Sequence, residues 1–123
     1  MIKVETKNAP AAIGPYSQAM VAGNLIYTSG QIPINPASGN IEAESIEEQA
    51  HQACRNIGAV LEAAGSGFNK VIKTTCFLSD IKNFAAFNAV YETYFTSKPA
   101  RSCVEVSALP KGALVEIEVI AEK

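Results

Sequence analysis

Ala113-Leu114-Val115-Glu116-Ile117-Glu118-Val119-Ile120-Ala121 is the stretch on which the architecture turns. Its alternation is strict. In an extended chain Ala113, Val115, Ile117, Val119 and Ala121 fall on one face, and Leu114, Glu116, Glu118 and Ile120 fall on the other. The first face belongs against a hydrophobic layer. The second carries two carboxylates among apolar residues and calls for partners. An open sheet face in a small protein often becomes a subunit interface, where neighbours supply arginines and lysines.

Working back from this strand, Arg101 to Val106 reads as another, separated from a helix by Pro99. That helix follows Asp80 and carries its apolar stripe on Phe84, Phe87, Tyr91, Tyr94 and Phe95. Val71 to Leu78, rich in β-branched and aromatic residues, is a strand. Ser45 with Glu48 three residues on makes a capping box, and Ile46, Ala50, Ala53, Cys54, Ile57, Leu61 and Ala64 recur at helical spacing until Gly65. Pro33, Pro36 and Gly39 keep Ile32 to Asn40 irregular. Gln18 to Val21 and Leu25 to Ser29 form a hairpin around Ala22-Gly23-Asn24, and Val4 to Thr6 is a short first strand. The order β-β-β-α-β-α-β-β predicts an α+β sandwich, with both helices on one face of the sheet.

The 123 residues make one domain, 1–123, large enough to bury a core without disulfides or metals. Hydrophobic residues at 48% and charged residues at 18% fit a globular chain rather than a disordered one. No apolar run is long enough for a transmembrane helix, and Met1 to Lys7 lacks the apolar core of a signal peptide, so the cytoplasm is the expected compartment. Cys54, Cys76 and Cys103 are widely spaced, with no C-x-x-C pair, which argues against a disulfide framework or zinc site. His51 is the only histidine, so a Ser-His-Asp triad has no other base to draw on. A net charge of −2 gives no footprint for nucleic acid.

Three short segments carry candidate chemistry: Gly14-Pro15-Tyr16-Ser17-Gln18, Thr28-Ser29-Gly30-Gln31-Ile32-Pro33, and Pro99-Ala100-Arg101-Ser102-Cys103-Val104-Glu105-Val106 with the final strand. Arg101 offers a planar fork suited to a carboxylate, although a salt bridge to Glu116 or Glu118 explains it equally simply. Glu116 is a candidate proton handler in the same neighbourhood, or an ion-pair partner at an interface. Cys103 shares a strand face with Arg101 and reads first as a small buried hydrophobe, with no base to activate it. Gly30 lets the chain pass close to a ligand. Asn88, a poor helix former in mid-helix, points to a specific hydrogen bond.

From about Ala9 to Ala121 the chain resembles the RidA/YjgF family, small proteins that hydrolyse reactive imines of 2-amino acids to 2-oxo acids and ammonia. The resemblance implies a six-stranded mixed sheet with two helices on one face, in the trimeric YjgF-like, chorismate-mutase-like fold. It implies 2-iminopropanoate or 2-iminobutanoate as substrate, unstable compounds released by pyridoxal-phosphate dehydratases, with no cofactor in the hydrolysis itself. Arg101 would hold the substrate carboxylate and Glu116 would organise the hydrolytic water. Tyr16, Ser29, Gly30, Asn88 and Cys103 would line a pocket shared between the subunits of a homotrimer. Thr96-Ser97-Lys98 is short for the family, a departure at the pocket mouth. A metabolite sensor or chaperone-like binder using the same cleft is the rival reading, and a ribonuclease the third.

Overall fold

The computed structural model describes every residue from Met1 to Lys123. Six strands form one sheet: β1 (Ile2–Val4), β2 (Ala19–Ala22), β3 (Leu25–Thr28), β4 (Val71–Leu78), β5 (Ala100–Glu105) and β6 (Val115–Glu122). Two helices, α1 (Ile46–Ala63) and α2 (Phe84–Tyr94), pack on one of its faces. The strand order is β1-β2-β3-β6-β4-β5. Only β4 and β5 are parallel, joined by α2, while the other neighbours run antiparallel, so the sheet is mixed. The expected α+β architecture is the one the chain adopts.

The alternation of β6 has the expected consequence. Val115, Ile117, Val119 and Ala121 are buried beneath the helices, with Ile26, Ile57, Leu61 and Phe87 in the same core. Each of these valine, isoleucine, leucine and phenylalanine side chains contributes about 1.5–3 kcal/mol when removed from water. Central placement between β3 and β4 makes β6 the strand on which both halves of the sheet depend.

Local chemistry sets the element ends. Ser45 Oγ accepts from the Glu48 N–H at 3.1 Å and donates to the Glu48 carboxylate at 3.0 Å, closing the N-terminus of α1. At the other end Gly65 takes φ +81°, the Ser66 N–H donates to Leu61 O and the Gly65 N–H to Glu62 O. This is a Schellman ending. Gly23 at φ +61° allows the two-residue turn that pairs Ala22 with Leu25.

The first strand differs from expectation, running Ile2–Val4 rather than Val4 to Thr6. The cause is Gln18, whose buried amide accepts from the Thr6 N–H at 2.7 Å and donates to Thr6 O and Pro10 O. Thr6 is therefore satisfied by a side chain and leaves the ladder. Strands β2, β3 and β5 sit within one residue of the expected ranges, as does β6 against an expected strand from Leu114 to Ala121. Short 3-10 turns at Phe68–Lys70, Ile81–Asn83 and Pro110–Gly112 carry no apolar period to announce them. The Thr96–Lys98 connection is a tight turn in which Lys98 has φ +55°.

Candidate active site

The end of β3, the segment after it and β6 together build one half of the site. Gln31 exchanges both backbone hydrogen bonds with Ile117, at 2.8 and 3.1 Å, which lays residues 29–31 alongside β6. Gly30 then sits directly against the Glu116 carboxylate: a β-carbon there would lie 2.7 Å from Glu116 Cδ. Any larger residue there would make that carboxyl group turn aside, whereas glycine leaves it where it lies. Glu116 is half-buried and lines a cavity of about 450 Å³ with Tyr16, Ser29, Gly30 and the apolar side chains Ile13 and Ile32. Ser29 Oγ donates to Ser17 O at 2.6 Å, tying the Tyr16 segment to the end of β3. Tyr16 is half-exposed at the mouth.

Burial pushes the Glu116 carboxyl above its ordinary pKa, and Glu118 two residues away pushes it further. Such a carboxyl is better matched to exchanging protons near neutral pH than a freely solvated one. Lys111, at φ +57° in the Pro110–Gly112 turn, stands on the rim of the same cavity.

The other half lies on β5 and α2. Arg101 Nη1 donates to Asn88 Oδ1 at 2.7 Å, which is the hydrogen bond that the mid-helix asparagine implies. The guanidinium lies 4.8 Å from the Tyr91 ring centroid and 5.5 Å from that of Phe84. Tyr91 is itself held by a 2.8 Å hydrogen bond between its hydroxyl and that of buried Thr74. One edge of the fork is thus fixed and the remaining donors are free to meet an anion. Cys103 follows on the same face, half-buried, and burial raises its thiol pKa against the opposing pull of Arg101. A neutral thiol there is a wall, not a nucleophile.

These halves do not meet within one chain, which corrects the expectation of a single neighbourhood. Arg101 pairs with Thr74, whose side chain faces the helices, whereas Glu116 pairs with Phe77 on the open face. The two residues are two strands and three residues apart. With strands about 4.8 Å apart and a rise of about 3.3 Å per residue, their Cα atoms are roughly 14 Å apart on opposite faces. Arg101 accordingly forms no salt bridge with Glu116 or Glu118, and its partner is Asn88. Tyr16, Ser29 and Gly30 go with Glu116; Asn88 and Cys103 go with Arg101.

Two buried amides are absent from the sequence reading. Asn56 donates to Ile32 O and Ile34 O, and Gln49 accepts from the Leu114 N–H, so both brace segments around the Glu116 cavity. Their signal was available: they lie seven residues apart, beside the apolar stripe of α1. His51 bonds the Tyr94 hydroxyl at 3.0 Å and lies outside the cavity.

Residues 6–123 match the family described as Endoribonuclease L-PSP. The chain is 56% identical over 119 residues to RutC family protein PH0854 of Pyrococcus horikoshii, spanning 96% of this chain and 94% of that one. It is 51% identical over 122 residues to a protein of Escherichia coli K12 named 2-iminobutanoate/2-iminopropanoate deaminase, spanning 96% and 94%. Among solved structures, E. coli TdcF with bound serine superposes with a TM-score of 0.95 at 42% identity, covering 100% of this chain and 99% of that one. No helix is long and apolar enough to cross a membrane.

Proposed function

The chain belongs to the endoribonuclease L-PSP family, also known as RidA/YjgF, and from that premise we propose that it hydrolyses short 2-imino acids to 2-oxo acids and ammonia. The observation that carries the reading is the Glu116 carboxyl, half-buried against Gly30 in a cavity and raised in pKa. An imine carbon is already electrophilic, so the protein needs to hold the substrate and handle protons. Glu116 takes a proton from water as its oxygen bonds to C2, and that proton passes to the imine nitrogen, giving a carbinolamine. Glu116 then relays the hydroxyl proton to nitrogen; the C–N bond breaks, C=O forms, ammonia leaves and the carboxylate is regenerated. Arg101 anchors the substrate carboxylate with the edge of its fork not used by Asn88.

In a 2-imino acid the carboxylate is bonded directly to the imine carbon. Anchor and acid must therefore stand within one small molecule of each other, which the separation inside one chain forbids. We assign the working site to the junction of two copies, one giving Tyr16, Ser29, Gly30 and Glu116 and the other giving Asn88, Arg101 and Cys103. A homotrimer closes three such sites with one repeated contact. The open sheet face, where Tyr27 and Val104 are each 45% exposed beside Glu116 and Glu118, supports that association. Serine bound in the E. coli TdcF structure supports a ligand of this size and charge. A net charge of −2 weighs against ribonuclease action, for which phosphate binding needs clustered cations.

The test is a coupled assay: a serine or threonine dehydratase generates the imine, and 2-oxo acid formation is followed with and without the protein. Acceleration that scales with protein concentration is expected. No acceleration across short imino acids sinks the reading.

A further inference from the structure

Asn56 lies on α1, on the helix-covered side of the sheet, yet its amide reaches the segment that lines the Glu116 cavity. It is 1% exposed. Its amide nitrogen donates to Ile34 O at 2.9 Å and to Ile32 O at 3.1 Å, and its oxygen accepts from Gln52 Nε2 at 2.9 Å. Both amide hydrogens are therefore committed to one segment of chain. That segment is pinned again at Gln31 by its two backbone bonds to Ile117. Residues 30–34 thus form a plate with one end on β6 and the other hung from α1. The inner edge of the plate, Gly30, presses on the Glu116 carboxyl.

We propose that Asn56 is a positioning residue for Glu116, holding the Gly30–Ile34 plate that shields this carboxyl from water; the inference rests on the deaminase reading for its catalytic consequence. Removing the amide leaves the Ile34 carbonyl without its donor and takes one of two donors from the Ile32 carbonyl, which keeps the Ile34 N–H; the plate recovers the lost hydrogen bonds only by moving toward solvent. Glu116 then gains water. The direction of the effect follows from what else faces it: Glu118 on its own strand, with Lys111 and Tyr16 on the cavity rim. From β4 it meets uncharged Phe77, and Lys73 stands further along, opposite Ile120. Burial is the largest cause of the raised pKa, so hydration lowers it.

The test is a carbon-13 titration of Glu116 in the assembled protein, its signal assigned by loss in Glu116→Gln, alongside the pH profile of imine hydrolysis. In Asn56→Leu, of similar volume and neutral, the Glu116 titration should move down by about half a unit or more. Turnover should fall about tenfold and its acid limb should move with the titration, while KM, set largely by Arg101, changes less than about twofold. Ser45→Ala loosens the same helix without touching the plate and should leave the titration in place. A Glu116 titration in folded Asn56→Leu that superposes on wild type overturns the proposal, as does an equal shift in Ser45→Ala. If Asn56→Leu does not fold, Gln52→Ala decides: a smaller shift in the same direction supports the assignment, and none overturns it. Should the wild-type protein leave imines untouched while Asn56→Leu still moves Glu116, the deaminase reading falls and the positioning role stands.

Discussion

The Arg101 end of β5 and the Glu116 stretch of β6 belong to one sheet but differ in what a single chain completes. Around Arg101 the side chain itself is finished: Asn88 fixes one edge of the fork and the Tyr91 and Phe84 rings flank it. What it lacks is an enclosure, since it lies on an edge strand. Around Glu116 the enclosure exists, walled by Gly30, Ile32 and the Tyr16 segment, but its one cation, Lys111 on the rim, is a point charge, and what is missing is a planar fork to hold a carboxylate. Rigidity and enclosure have been divided between two surfaces. In the proposed two-copy site each surface would supply what the other lacks, which would make assembly and activity one event.

That contrast can be broken most severely at Glu116. Glu116→Gln keeps the shape of the side chain but cannot accept the proton of water, so kcat should fall about 10²–10⁴-fold. Binding of a substrate analogue, followed by calorimetry, should survive. Equal losses in binding and turnover would assign Glu116 to the interface instead. Next comes Arg101→Ala, where kcat/KM should drop about 100-fold, with Arg101→Lys no better because a point charge cannot reproduce the fork. Near wild-type hydrolysis in either variant removes Arg101 from the site.

Mixing these two inactive variants sharpens the comparison. After subunit exchange at equal amounts, a junction is intact when the Arg101→Ala copy gives Glu116 and the Glu116→Gln copy gives Arg101, so about a quarter of wild-type activity should return. No recovery, with exchange verified by mass spectrometry, would place both residues of each site in one chain. The smallest effect concerns stability. Glu116 has a raised pKa when folded, so the folded chain holds this proton more tightly than the unfolded one. The resulting stabilisation is full below the ordinary carboxylate pKa and is lost as pH rises through the raised value. Urea unfolding of wild type should therefore lose ground relative to Glu116→Gln across that window, and parallel curves would show that folding leaves the carboxyl unperturbed.

The sequence made the layers legible because their signals are local. Alternation in β6, the Ser45–Glu48 box and the Gly23 turn are each decided by neighbours within a few residues. Parity along β5 likewise put Arg101 and Cys103 on one face. Their relation to Glu116 was not legible, because it depends on how β4 registers against both neighbours, matching Thr74 with Arg101 and Phe77 with Glu116. No residue spacing encodes that register. The displaced first strand has the same origin: Gln18 reaches back twelve residues to Thr6, and nothing near Thr6 advertises the competitor.

The position of β6 also bears on the order in which the protein comes into being. It is the last strand in chain order yet lies between β3 and β4. Without β6 the remaining strands share no lateral bond across the middle of the sheet, leaving a three-stranded antiparallel piece and a parallel β4–β5 pair. Each shows an unpaired edge waiting for the same missing strand. Stitching them together requires the segment that also delivers Glu116. The residue proposed to move protons therefore sits on the very strand that closes the sheet.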